Sequence, residues 1–199
     1  MIELYQTTFD ARWYQAAHEL AETMIAHFRA PDGGFYDTSD DHEALITRPR
    51  ELQDNATPSG NAMAAAVLLK LGGLAVEPRY TELARDTLAP MQSAMAQYPL
   101  GFSHWLQAAS YDLSQPREIA LVGDLGAHDT QAMLAVLRDG YRPHQVVAVG
   151  EPGAEGVTVP ILQNRTSVDG RATAYVCIKM VCRPPVMEAE ALRANLTRS

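Results

Sequence analysis

A chain of 199 residues, 47% apolar and 20% charged, can bury a real core in one large domain or one domain with a small appendage, which excludes a disordered polymer. With 24 acidic against 16 basic residues the formal charge is -8, and no basic stripe offsets it, so a nucleic-acid partner is not expected. No apolar run nears the roughly 20 residues that span a bilayer, Met1 to Thr8 lacks a signal-peptide pattern, and two cysteines are too few for a secreted scaffold; the expected address is the cytoplasm, with no membrane partner.

Between Asp10 and Phe28 the apolar residues Trp13, Ala17, Leu20, Met24 and Phe28 recur at helical spacing, with Glu19 and Glu22 facing away. Pro31-Asp32-Gly33-Gly34 stops that helix, because proline cannot continue it and glycine takes the left-handed turn at little cost. A long polar stretch, Phe35 to Asn55, has little periodicity. Thr57-Pro58 reads as an N-cap followed by proline at the first helical position. Met63, Val67, Leu71 and Leu74 continue this helix on one face until Gly72-Gly73 weakens it. A third helix, Pro78 to Tyr98, should turn Tyr80, Leu83, Thr87, Met91 and Met95 inward and kink at Pro90. A fourth, Pro99 to Leu113, carries Phe102, Trp105, Leu106 and Ala109.

The texture changes at Pro116. Glu118 to Val122 and Gln145 to Val149 are short apolar runs of strand type, and Asp129 to Arg138 between them is an amphipathic helix with Met133, Leu134 and Leu137. Strand, helix, strand at this spacing is a βαβ crossover with parallel strands joined right-handedly. Ala172 to Ile178 reads as a further strand and Glu188 to Leu196 as a short closing helix. The predicted fold class is mainly α: helical hairpins over 1–114, then a small α/β unit over 115–199.

Gly34-Phe35-Tyr36-Asp37-Thr38, Arg48-Pro49-Arg50 and Asp54-Asn55-Ala56-Thr57-Pro58-Ser59-Gly60-Asn61 together resemble the carboxyl-terminal half of the thioredoxin-domain-containing family related to spermatogenesis-associated protein 20. The tail adds Ala174-Tyr175-Val176-Cys177, Cys182, Pro185-Val186 and Ala191-Leu192. The resemblance covers nearly the whole chain and is most specific from Asp54 to Asn61. It implies an (α/α)6 toroid akin to six-hairpin glycosidases and N-acylglucosamine epimerases, preceded in the family by a thioredoxin-like domain. By that resemblance the thioredoxin-like domain and about half the ring are absent, so a partial toroid with an open apolar flank is expected. Such a flank calls for association, as a homo-oligomer or with the missing amino-terminal part. Trp13, Leu20, Met24 and Phe28 are its candidate contact surface; alternatively they form the domain's own core.

Toroid enzymes work from loops gathered at one mouth of the ring, so the resemblance directs attention to Asp37, Asp40, Asp41, His42, Glu43 and Asp54. Paired carboxylates suit glycoside hydrolysis, and His42 or His104 suits proton shuttling in epimerisation. The plain reading is a solvated acidic surface. Thr57 would cap a helix whose first turn, with Ser59, Gly60 and Asn61, presents free N–H groups to an anion or a sugar hydroxyl, while Asp54 and Asn55 tie the loop. The alternative is a capping network and nothing more. Trp105 and Phe102 beside His104 either stack on a sugar or belong to the core.

Gly123-Asp124-Leu125-Gly126 lacks the three-glycine spacing of a dinucleotide loop and reads as a plain βα turn, so no cofactor is expected. Cys177 and Cys182 stand roughly 16 Å apart in extended chain, against the roughly 7 Å a disulfide tolerates, and they are read as two free thiols. Zinc would need two more ligands, for which only scattered histidines are available, so no metal site is expected. Two functions follow. The first is a non-catalytic structural or interaction module of a larger toroid protein. The second is part of a carbohydrate-active hydrolase or isomerase, with Asp37, Asp41, Asp54 and His104 as its chemistry and Asn55, Ser59, Asn61 and Trp105 holding a small sugar.

Overall fold

The computed structural model describes residues 1–41, 47–151 and 159–197. The chain divides into two compact units, one of Met1–Ile2, Arg12–Gly72 and Glu77–Ser114, the other of Glu3–Ala11, Gly73–Val76 and Gln115–Ser199. Its elements run α1 (Ile2–Thr8), α2 (Ala11–Phe28), α3 (Gly60–Ala75), α4 (Pro78–Leu88), α5 (Gln92–Gln97), α6 (Ser103–Leu113), β1 (Arg117–Val122), α7 (His128–Arg138), β2 (Gln145–Gly150), β3 (Thr173–Ile178), β4 (Val181–Cys182) and α8 (Ala189–Thr197). Among the described residues no helix is long and apolar enough to cross a membrane.

In the first unit, α2 buries Tyr14, Ala17 and Ala21. The buried stripe is therefore rotated by about one residue from the predicted one: Leu20 is 59% exposed and Trp13, Met24 and Phe28 are half-buried. Glu22, expected to face away, turns toward α4, where it accepts hydrogen bonds from the Tyr80 hydroxyl and the Arg79 guanidinium. His18 meets the Tyr80 ring edge-on at 6.1 Å, so one polar row of α2 follows α4. Burial pushes the Tyr14 hydroxyl up to about 12.

The start of α3 differs from the sequence reading. Ser59, not Thr57, caps it, its hydroxyl accepting the Ala62 N–H at 3.3 Å. The helix continues through Gly72 and Gly73, and it is buried on most sides, with Met63 turned outward. Gly72 serves close packing: a Cβ there would lie 2.6 Å from the Thr81 hydroxyl of α4. Glu77 caps α4 by accepting the Arg79 N–H, with Pro78 at the first helical position. At Pro90 a 3-10 turn, Ala89–Met91, separates α4 from α5, the expected break. The inward set Tyr80, Leu83, Thr87, Met91 and Met95 is buried as predicted. On α6 the buried residues are Trp105, Ala108 and Tyr111, while Leu106 faces outward.

In the second unit the strands lie in the order β2-β1-β3-β4. β1 and β2 are parallel, joined through α7, and β3 runs antiparallel to β1. Alternation sends Ile119, Leu121, Val147, Val149, Ala174 and Val176 to the face covered by Met133, Leu137, Leu192 and Leu196 of α7 and α8. The opposite face carries Glu118, Ala120, Val146, Ala148 and Cys177. Gly73 approaches that face, where a Cβ would meet Val146 at 3.0 Å and Glu118 at 3.3 Å. The α1 helix, unpredicted, secures the edge of β2: the Gln6 side chain accepts the Val147 N–H at 2.8 Å. The Gly123–Gly126 segment is a βα turn, its Asp124 carboxylate accepting the Gly126 N–H at 2.8 Å.

The cysteines overturn the free-thiol reading. Cys177 and Cys182 form a disulfide, with Cα atoms 3.9 Å apart. The missing ingredient was a two-residue turn: Lys179 and Met180 both take positive φ (50° and 66°), which folds β4 directly back on β3 and sets the two cysteines opposite one another.

Candidate functional site

A connection as long as the one between α2 and α3 must find partners for its own backbone N–H and C=O groups. Among the described residues, polar side chains supply several of them and other backbone groups supply more, as in Tyr36 N–H to the Phe28 carbonyl. Phe35 pairs with Arg29 across a tight turn in which Gly33 and Gly34 take φ of 97° and 71°. Gly34 cannot be larger, because a Cβ would lie 2.6 Å from Asn61 Oδ1 and 2.8 Å from Arg50 Nη2. Asn61 at the start of α3 uses that space. Its Oδ1 accepts the Phe35 N–H at 2.7 Å and its Nδ2 donates to the Phe35 carbonyl at 2.8 Å, reproducing with one side chain the pairing of a neighbouring strand.

Tyr36 carries two guanidinium groups, those of Arg48 at 4.2 Å and Arg50 at 5.8 Å from its ring centre. Arg48 donates to the carbonyls of His27 and Thr38, while Arg50 grips Asp32 through two bonds of 2.8 and 2.9 Å and also reaches the Gly33 carbonyl. Asp37 joins the same two segments: its N–H donates to the Pro49 carbonyl and its Oδ2 accepts the Glu51 N–H at 2.7 Å.

Asp54 closes the assembly. Only 8% exposed, it accepts the Ser59 N–H at 2.9 Å through Oδ1 and the His104 N–H at 2.8 Å through Oδ2. It thus ties the loop before α3 to the first turn of α6, where the helix dipole favours a carboxylate. Its own N–H donates to the Gly101 carbonyl at 2.8 Å, and Trp105, fully buried, donates its indole N–H to the Leu52 carbonyl at 2.8 Å.

Of the predicted residues, the structure therefore joins Asp54 to the backbone N–H groups of Ser59 and His104, seats Trp105 one residue further along α6, and places Asn61 on the Phe35 backbone. Asp37, Asp41 and Asn55 are exposed, Asp37 engaged by Glu51 and Asp41 by the Ser39 hydroxyl. Asp40 pairs with His27 at 2.8 Å. His42 and Glu43 lie outside the described residues. His104 Nε2 is buried without a hydrogen-bond partner among the described residues. No group of three or more His, Cys, Asp or Glu among the described residues could hold a metal ion.

Arg48, Arg50, Tyr36 and Asp32 received no role from the sequence. A signal was present, since two arginines separated by one residue in extended chain share a face, but their acceptors are carbonyls that no sequence pattern reveals.

No family model matches the chain. It is similar to spermatogenesis-associated protein 20 of Homo sapiens, at 27% identity over 98% of the chain and 26% of that protein. The Rattus norvegicus protein of the same name is 28% identical and that of Mus musculus 27%, each over 98% of the chain. The chain spans about a quarter of the length of these relatives. The polar bracket from Gly34 to Asn61 is part of a chain homologous, along essentially its whole length, to one segment of spermatogenesis-associated protein 20.

Proposed function

We propose that this chain acts as a structural or interaction module of a larger α/α-toroid protein, without catalysis of its own. The observation that carries this reading is the structural use of Asp54: each carboxylate oxygen accepts a backbone N–H that opens a helix, in a side chain only 8% exposed. Asn61 is engaged in the same way, with donor and acceptor both turned to Phe35. The outer row of α2, with Leu20 exposed and Trp13, Met24 and Phe28 half-buried, is the surface on which association falls, either with further hairpins of the ring or with a second copy. The cytoplasm is the compartment proposed for it.

Light scattering of the purified chain across a dilution series tests the proposal. A dimer or larger species that Leu20→Glu with Met24→Glu reduces to a folded monomer is the expected result. A folded wild-type monomer at every concentration refutes pairing with a second copy through this row and favours a second reading, carbohydrate chemistry by Asp37, Asp41, Asp54 and His104. That reading rests on the buried Nε2 of His104, which has no hydrogen-bond partner among the described residues, and titration with simple sugars then becomes the measurement to make.

A further inference from the structure

The disulfide of the second unit does not stand alone. Arg165 points one terminal nitrogen at both sulfurs, Nη2 lying 3.3 Å from Cys177 Sγ and 3.4 Å from Cys182 Sγ. A disulfide sulfur is a weak acceptor, so a neutral bridge makes poor use of a half-buried guanidinium; a thiolate makes good use of it. The two sulfurs also differ in access. Cys177 is 1% exposed on β3, whereas Cys182 is exposed on the short outer strand β4.

Nor is the bridge the sole tie in the hairpin. It closes a loop of only five residues' separation, where little chain entropy is at stake. The hairpin has its own supports: Arg183 N–H donates to the Val176 carbonyl at 3.0 Å, and Met180 N–H donates to Glu118 Oε2 at 3.0 Å.

We propose that Cys177–Cys182 is a thiol–disulfide exchange site for a dithiol reductant, with Arg165 as the residue that receives the leaving thiolate. One thiolate of the reductant attacks the exposed Sγ of Cys182, forming a mixed disulfide as the Cys177–Cys182 bond breaks. The electron pair departs on Cys177 Sγ, already within reach of Arg165. The second thiol of the reductant, on losing its proton, attacks its own sulfur in the mixed disulfide and releases Cys182. Two electrons and two protons pass to the chain, and the reductant leaves as a disulfide. In a reducing compartment, bridges of this kind are transient and belong to catalysis or sensing rather than to scaffolding.

Arg165 matters because a thiolate at so buried a position would otherwise be disfavoured, and a thiol that ionises poorly leaves slowly. Among the described residues, the titratable groups beside Cys177 include Arg165, Glu118 opposite it on β1, and Tyr175 on its own strand, whose ring centre lies 5.7 Å from the Arg165 guanidinium carbon. Burial pushes the Glu118 carboxyl up and the Arg165 guanidinium down, so both charges are held at a desolvation cost that a nearby anion would change.

The test is reduction of the purified oxidised chain by dithiothreitol at neutral pH, followed by alkylation, intact mass and mapping of the labelled cysteine. Trapped early, the mixed disulfide is expected on Cys182. Arg165→Met should slow reduction about three- to tenfold, and Arg165→Lys should recover part of the loss. In the reduced wild-type chain, the pH dependence of Cys177 alkylation should place its thiol below the free-cysteine value of about 8.5, and Arg165→Met should raise it. A Cys177 thiol at or above that value in the wild type, or equal rates for wild type and Arg165→Met, overturns the proposal. Should Arg165→Met fail to fold, the wild-type titration decides alone.

Discussion

Replacing Asp54 with alanine removes two acceptors at once, and the partners they leave are not surface groups. The Ser59 N–H sits at the entry to α3 and the His104 N–H in the first turn of α6, bonded at 2.9 and 2.8 Å to a residue only 8% exposed. Hydrogen bonds to a charged group contribute about 1.5–3 kcal/mol each, and an orphaned buried donor has a desolvation cost of similar size. Allowing for local relaxation, Asp54→Ala should destabilise the chain by about 3–5 kcal/mol, a large share of the roughly 5–15 kcal/mol that keeps a domain folded. In thermal terms that is a fall of roughly 6–20 °C. Asp54→Asn is the informative companion. Its carbonyl oxygen can serve one N–H, but its amide group faces the other, so a loss of about 2–3 kcal/mol is expected. Denaturant unfolding followed by circular dichroism measures both. A loss under about 1 kcal/mol for the alanine variant, or an asparagine variant as stable as the wild type, would show that Asp54 is not the tie between the two helices. Its carboxylate would then be open to a chemical role.

Asn61→Ala should cost about 2–3 kcal/mol, because both bonds to the Phe35 backbone are lost in a site where Asn61 is 1% exposed. Asn61→Asp should be no better, since its second oxygen would face the Phe35 carbonyl; a stable aspartate variant would refute the two-way pairing. Glu22 supplies a pH test. Burial pushes its carboxyl up, but the hydrogen bonds from Tyr80 and Arg79 outweigh it, and the net shift is below the ordinary 4.5. A carboxyl lowered on folding contributes stability above its unfolded value, and that stability is lost as pH falls through the folded value. The melting-temperature gap between wild type and Glu22→Gln should therefore be present at neutral pH and shrink below about pH 4.5. A gap that is the same at pH 3 as at pH 7 would remove the ion pair from the account.

Much of the secondary structure was legible in the sequence, for reasons local to each segment. Period and punctuation are properties of a few consecutive residues, so the break at Pro90, the inward set from Tyr80 to Met95 and the strand–helix–strand run from Arg117 to Gly150 could be read without a partner in view. The stripe on α2 was legible only approximately. Trp13, Leu20 and Met24 follow helical spacing as well as Tyr14, Ala17 and Ala21 do, and which row turns inward depends on the polar contacts of His18 and Glu22 with Tyr80 of another helix.

The residue types of the polar bracket also stood in plain view, as capping residues and acids. Their partners did not. Asp54 finds His104, 50 residues on, Asn61 finds Phe35, 26 residues back, and the Trp105 indole finds a carbonyl 53 residues away. Backbone groups are identical at every position, so no pattern of side chains tells which of them will be left over for a distant carboxylate or amide to satisfy. The cysteines show the same limit at short range. Five positions of separation is too far in extended chain and close enough once Lys179 and Met180 turn, and the turn is held by Glu118 on a neighbouring strand. Local spacing decided what each segment can be; the tertiary structure alone decided which polar atoms meet, because that depends on the backbone's unpaired groups being brought together from far along the chain.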